Sequence, residues 1–349
     1  MYIIWAMQPG LTQMPLCTIV IVTRARSALL LSCLKSIGEA SKPFSFEVLI
    51  VGNGEEVSLG SELGSLNFIP RIITTTRMTP AAARNFALPM TRGQFICFLD
   101  DDVEIPPQYF ERFQATFSEY PHLDILGGPD RTVERAHWNE KAIGLTLHSP
   151  LATATTRFRH GGGSIQKPIP EVSQERQLIL CNLWIKRSLF VEQGHRFDER
   201  FTRNEENVLL HELRHLKMFF DPALFVYHRR KTTLRDKGRA VFKSGFFRAK
   251  SFFLYPGSVS FEFFVPSAFL IYLLGLPLLR VDWAAVPLFT YFVLNSFFAI
   301  RIGIGGRELK LIPAIIFYQF FINLNYGAGF MWGLISQRTA MVFPARRQT

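Results

Sequence analysis

Hydrophobic positions in the first half of the chain fall into short runs that alternate with amphipathic stretches. Residues 17–22 are apolar except for Thr18, which predicts a strand covered on both faces. Residues 28–37 carry apolar side chains at helical spacing and predict a helix. A second strand over 46–51 closes on Gly52-Asn53-Gly54, a turn sequence. The pattern then predicts a helix over 80–88 with Pro80 in its first turn, a strong strand over 95–99 and a helix over 106–117. A strand over 123–126, turning at Gly127-Gly128-Pro129, and a helix over 205–216 complete it. Strand and helix repeating at this spacing predict an α/β fold with a mostly parallel, Rossmann-like sheet flanked by helices. Ligands in such a sheet bind at the carboxyl ends of the strands.

Past Asp221 the pattern changes. Residues 229–250 hold nine Lys or Arg against one acid, Asp236. Phe242, Phe246, Ala249 and Phe253 form one apolar helical face beside Arg239, Lys243 and Arg248. That combination predicts a basic helix in a membrane interface, with a solvated connector as the alternative. Three uncharged apolar runs follow at 263–279, 283–300 and 311–335, of 17, 18 and 25 residues. A span needs about 20 residues, so the third is long enough and the first two are short, a tight hairpin or a re-entrant pair. The expected division is a catalytic domain over 15–228, a basic linker helix over 229–258 and a transmembrane region of about three helices over 259–337. The basic link at 301–310 places that side in the cytoplasm by the positive-inside rule, giving a multi-pass inner-membrane protein with a cytoplasmic catalytic domain. Arg346-Arg347 would then lie outside, against the rule.

The net charge of +11 points to a polyanionic partner. No nucleic-acid motif accompanies it, so membrane lipids are expected and nucleic acid is not. Cys17, Cys33, Cys97 and Cys181 form no C-x-x-C pair, which predicts reduced core thiols. The first 15 residues carry no basic segment or cleavage site, so no signal peptide is expected, and Met14 is an alternative start.

Asp100-Asp101-Asp102 is the sharpest chemical feature. Three carboxylates directly after an apolar strand repel one another, and a divalent ion would offset them. Mg²⁺ and Mn²⁺ take oxygen ligands and bridge carboxylates to substrate phosphates, with Asp100 and Asp102 approaching from alternate directions. The plain alternative is an acidic turn capping the next helix. His228 could reach the metal or a phosphate, or be structural. His211-Glu212-Leu213-Arg214-His215 fits H-E-x-x-H, the zinc-protease pattern, but lacks a third ligand. His160-Gly161-Gly162-Gly163 has no accompanying G-x-S-x-G and is expected in a mobile loop over 151–170, an acceptor lid.

Several segments together resemble family 2 glycosyltransferases of the GT-A fold, in a membrane-attached form with C-terminal helices. They are Val20-Ile21-Val22-Thr23-Arg24-Ala25-Arg26, Ala82-Ala83-Arg84-Asn85, Phe98-Leu99-Asp100-Asp101-Asp102, Phe197-Asp198-Glu199-Arg200-Phe201 and Asn204-Glu205-Glu206. Asp221-Pro222 and Val226-Tyr227-His228 resemble the domain's closing strand, and Tyr326-Gly327-x-Gly329-Phe330-x-x-Gly333 resembles members making surface polysaccharides. The resemblance implies an inverting, metal-dependent transferase that uses a nucleotide-sugar donor and a lipid-linked or membrane-proximal glycan acceptor, with polyprenyl phosphate as the alternative acceptor. It implies that Thr23, Arg26, Arg84, Asp100 and Asp101 serve the nucleotide-sugar and that Asp100 and Asp102 hold Mg²⁺ or Mn²⁺. Glu206 would be the base beside Glu205, whose charge would favour proton uptake. A surface acid pair in the first turn of a helix is the plain reading of the two. Gly52 stands where an aspartate implied in uracil recognition is common, and no Q-x-x-R-W pattern marks a processive synthase. A catalytically dead membrane scaffold is the reading from another class.

Overall fold

The computed structural model describes residues 16–24, 27–40, 44–162, 175–279 and 281–342. In chain order the first elements are β1 (Cys17–Thr23), α1 (Ser27–Ala40), β2 (Phe46–Asn53), β3 (Arg71–Thr75), α2 (Pro80–Ala87), β4 (Phe95–Asp100), β5 (Val103–Glu104) and α3 (Tyr109–Glu119). Then come β6 (Ile125–Gly127), β7 (Asp130–Arg131), α4 (Trp138–Thr146), α5 (Pro150–Thr153), β8 (Asn182–Lys186), α6 (Arg187–Val191), α7 (Glu205–Glu212), β9 (Met218–Phe220) and β10 (Val226–His228). The chain continues with α8 (Leu234–Leu254), α9 (Val265–Gly275), α10 (Val286–Gly305) and α11 (Ile312–Val342).

The described residues divide into two compact units, one from residues up to 131 and 175–229, the other from 132–162 and 230–342. The first is a seven-stranded sheet in the order β3-β2-β1-β4-β8-β6-β9, with a small second sheet β5-β10-β7. Strands β3, β2, β1 and β4 are parallel, and β8 runs antiparallel between β4 and β6. Ile19, Ile21, Cys97 and Leu99 face one core with Leu30, Leu34, Phe110 and Trp184. Val20, Val51, Ile96 and Phe98 face another with Phe190, Leu209 and Leu210. Burial on both faces is why these strands read as continuous apolar runs. All four cysteines are free and buried.

The register aligns the functional edge. Thr23 pairs with Gly52, and Val22 with Asp100, so the carboxyl ends of β1, β2 and β4 lie level. Gly52 is there for a steric reason. A Cβ at this position would lie 2.5 Å from the Glu55 carbonyl oxygen and 3.0 Å from Val57, so an aspartate cannot enter without moving backbone. Gly128 is tighter still, its Cβ position 1.8 Å from the Leu224 oxygen, so Gly127-Gly128-Pro129 serves close backbone packing.

The helix predicted over 205–216 stops at Glu212, where the Arg214 guanidinium caps the His211 carbonyl at 2.7 Å. His215 therefore lies beyond the helix, and His211 and His215 do not share a helical face. The zinc-protease reading fails on that geometry. His211 instead lies 3.5 Å from Glu175.

The second unit is helical, and residues 132–162, expected in the catalytic domain, group with it. Ala142 and Ile143 of α4 pack with Ala299, Leu311, Ile315 and Tyr318, which explains the grouping. Among the described residues, three stretches are long and apolar enough to cross a membrane: Phe261–Leu278, Trp283–Gly305 and Leu309–Gln337. Helix α10 runs antiparallel to α11, with Asn295 donating to Ile316 and Asn323 to the Tyr291 hydroxyl. Helix α9 meets both, through Phe269–Tyr291 on α10 and Phe269–Phe320 on α11, and Phe264 just before it meets Phe330.

The basic helix expected in the interface is also packed against protein. Gly245 leaves no room for a Cβ, which would lie 2.3 Å from the Tyr326 oxygen, and one at Gly329 would lie 2.0 Å from the Phe242 oxygen. Gly333 abuts Ala249 and Phe246 in the same way. Part of the Phe242, Phe246, Ala249 stripe is thus a glycine-mediated seam between α8 and α11, the close approach that small residues allow in membrane helix pairs.

Candidate active site

Five elements deliver side chains to one edge of the first unit. The tip of β1 is tied to the turn after β4 by Thr23, whose hydroxyl donates to Asp101 at 2.5 Å, both residues being buried. Asp101 is thereby turned inward, while Asp100 and Asp102 lie on the other side of the turn. Asp100 keeps 36% of its side chain exposed and Asp102 14%, so Asp100 is the more accessible of the two.

Helix α2 contributes Arg84. Thr79 caps this helix by accepting from the Ala82 amide, with Pro80 at its first position. Arg84 is buried and donates to Glu205 at 2.8 Å and to Asp100 at 3.1 Å, so one guanidinium holds two acids from distant segments. Its neighbour Asn85 accepts from the Phe197 amide at 2.9 Å and donates to the Phe197 carbonyl at 2.8 Å. That pair pins the segment entering α7. Asn204 precedes α7 at φ 64°, a left-handed conformation that asparagine tolerates better than most residues. Glu205 and Glu206 follow in the first turn, both buried, and Asn207 donates to Glu206 at 2.9 Å.

The closing strand β10 brings His228. Its Nδ1 lies 2.8 Å from buried Asp130 and its Nε2 3.2 Å from Asp102. A histidine held by a carboxylate on one nitrogen and aimed by the other is the usual supported arrangement of a metal ligand. Ligand atoms of Asp100, Asp102 and His228 all lie within 4.8 Å of one another, a compact donor set of two carboxylates and one imidazole.

Acids outnumber cations in the cluster, Arg84 and His228 standing against Asp100, Asp101, Asp102, Asp130, Glu205 and Glu206. Burial pushes the Asp100 carboxyl above its ordinary range, the Arg84 guanidinium pulls it back, and Asp102 pushes it up again. Glu205 is likewise raised by burial, against the pull of Arg84 and with a further push from Glu206. Burial works against the His228 proton, but Asp102 and Asp130 outweigh it and hold the imidazole well above its ordinary value.

Of the residues expected from sequence, Thr23, Arg84, Asp100, Asp101, Asp102, Glu205, Glu206 and His228 gather at this edge. Arg26 lies outside the described residues, as do residues 163–170 of the expected acceptor lid, while its first part, up to Gly162, is largely helical. Two supporting residues were not foreseen, Asp130 after a glycine turn and Asn207 beside the acid pair, and Asn85 and Asn204 stood in family-like segments without a role of their own. A buried acid just after a turn and two asparagines around paired glutamates were the signals available.

A mostly parallel sheet whose carboxyl edge gathers an Asp-x-Asp element, an arginine and a buried acid pair has the architecture of a GT-A glycosyltransferase. The Glycosyl transferase family 2 model matches residues 18–170, and the chain carries a domain of that family: it is a glycosyltransferase. No curated protein matches the chain in sequence. Among solved structures it is similar to the mannosyltransferase PcManGT from Pyrobaculum calidifontis, in complex with GDP-Man and Mn2+, with 14% identity, 95% of this chain and 91% of that chain covered, and a TM-score of 0.57. That likeness establishes the fold. S. aureus TarS, residues 1–349, matches at 16% identity over 93% of this chain and 91% of that one, with a TM-score of 0.44.

Proposed function

We propose that the enzyme transfers a sugar, with inversion, from a nucleoside diphosphate donor to a lipid-linked or membrane-proximal glycan acceptor. The carrying observation is the meeting of β1, α2, β4, α7 and β10 at one sheet edge, with acids, an arginine and a histidine in contact. Such an edge is where α/β sheets bind nucleotides. The mannosyltransferase sharing the fold holds GDP-Man and Mn2+, and a nucleotide-sugar with Mg²⁺ or Mn²⁺ is the donor pair proposed here.

The donor set of Asp100, Asp102 and His228 fits a small divalent ion in number and compactness. When bound, such an ion neutralises charge growing on a departing diphosphate. Asp130 aims His228, and Thr23 holds Asp101 so that the turn bearing Asp100 and Asp102 is fixed. Arg84 keeps Asp100 and Glu205 in register. Glu206, positioned by Asn207, takes the proton of the acceptor hydroxyl as it attacks the anomeric carbon from the face opposite the leaving group. A single displacement of this kind inverts the centre.

The three apolar helical stretches support membrane association, and we place the protein in the inner membrane with its catalytic domain in the cytoplasm. Tethering a soluble site to the surface that carries its acceptor raises the acceptor's effective concentration. The test is release of nucleoside diphosphate by the purified protein from a panel of nucleotide-sugars, with Mg²⁺ or Mn²⁺ and lipid acceptors present. Release lost on chelation and in Asp102→Ala supports the reading. No release from any donor, or release that survives exhaustive chelation, sinks it.

A further inference from the structure

The helical unit contains a cation that the sugar chemistry does not use. Arg248, in the second half of α8, is 7% exposed, and no carboxylate pairs with it among the described residues. Its guanidinium lies 4.4 Å above the Phe263 ring and beside the Tyr326 hydroxyl, on which the Glu262 carboxylate also acts. Its Nε has no hydrogen-bond partner, and neither do the buried hydroxyls of Ser258 and Ser260. These two serines flank Val259, which packs in the same cluster as Ala249, Phe263 and Phe330. A buried charge without a counter-charge is costly, and a ring face compensates only a fraction of it. Four unsatisfied polar groups around one cluster, the Tyr326 hydroxyl being the fourth, are therefore the mark of a site for an anion with several acceptor oxygens.

We propose that Arg248, Ser258 and Ser260 bind the phosphate group of a lipid headgroup. The location favours a lipid source. The first membrane-competent stretch begins at Phe261, one residue after Ser260, and Phe261 and Val265 are strongly exposed apolar side chains. Further along the same α8–α11 seam is a cavity of about 440 Å³ lined by Gly238, Arg239, Phe242, Lys243 and Asn325, two of them basic. A headgroup arriving there meets positive charge first. The inference rests on the membrane association proposed above and not on the sugar transfer.

The test uses the full chain, delipidated in detergent, and flotation on phosphatidylcholine vesicles with or without phosphatidic acid, whose headgroup is a bare phosphomonoester. Wild type is expected to prefer the phosphatidic acid vesicles by roughly tenfold to a hundredfold, the worth of a charge-assisted hydrogen-bonded contact. R248Q is expected to lose most of that preference. Ser258→Ala with Ser260→Ala, which keeps the buried arginine's packing, should lose part of it even if R248Q does not fold. Inorganic phosphate in the buffer separates the sources: competition only at concentrations far above the lipid's supports the lipid, and equal potency overturns it. Equal preference in wild type and in both variants overturns the site. Nucleotide release measured on the same preparations keeps this separate, since its absence in wild type would sink the transferase reading alone.

Discussion

Replacing Arg84 by methionine preserves its length and removes the charge that joins Asp100 to Glu205. At an effective dielectric near 20, charges about 4 Å apart interact by about 4 kcal/mol. The Asp100 half is discounted because over a third of that side chain is exposed. The Glu205 half is not, since both partners are below a tenth exposed. Breaking a buried pair by removing one partner costs about 3–5 kcal/mol, a large part of a domain's stability of about 5–15. The pH dependence fixes the cause. Asp100 and Glu205 are both raised above their unfolded values, so the native state binds more protons in that window, and stability falls as pH rises from the ordinary carboxylate range to their folded values. Arg84 is the group that pulls both down, so without it the window extends upward. Urea unfolding of R84M should therefore show its full deficit near pH 8 and a clearly smaller one near pH 5. A deficit equal at both pH values, or none at pH 8, would refute the ion-pair account and leave a packing role.

Other outcomes follow from the same geometry. Asp130→Asn should weaken activation by Mn²⁺ by about tenfold or more without removing any direct donor, since it only loosens the aim of His228; titrating nucleotide release with metal checks this. Asn204→Val should cost about 1–3 kcal/mol more in thermal stability than Asn204→Gly, because a β-branched residue resists positive φ. Gly52→Asp should destabilise by about 1–3 kcal/mol instead of conferring a base preference, read from unfolding midpoints and donor selectivity together. Gly329→Val should separate α8 from α11 and lower the melting temperature of the detergent-solubilised protein, with donor hydrolysis lost only in step with unfolding.

The alternating apolar runs made β1, β2, β4 and α2 legible, because strands buried on both faces have no polar positions to blur the pattern. β3 and β8 were not. Arg71–Thr75 is only partly buried at a sheet edge, and β8 enters the sheet from a distant part of the chain, antiparallel between β4 and β6, without a turn to announce it. In the site, the acidic triplet and the glutamate pair stood out as clusters of charge. Two of their supports did not, because Asp130 and Asn85 act through contacts 98 and 112 positions away that no local pattern encodes. The histidine pair shows the complementary limit: spacing alone permitted a shared face, and the helix ends before the second histidine.

Because residues 132–162 belong with the C-terminal helices, the polypeptide leaves the sugar-transfer unit and comes back before finishing it. Truncation after Arg229 would therefore not liberate a soluble enzyme; it would strand Ala142 and Ile143 without Ala299, Ile315 and Tyr318 to cover them. A shortened version that stays in solution would need α4 and α5 bridged out as well, joining the chain near Arg131 directly to the segment before β8.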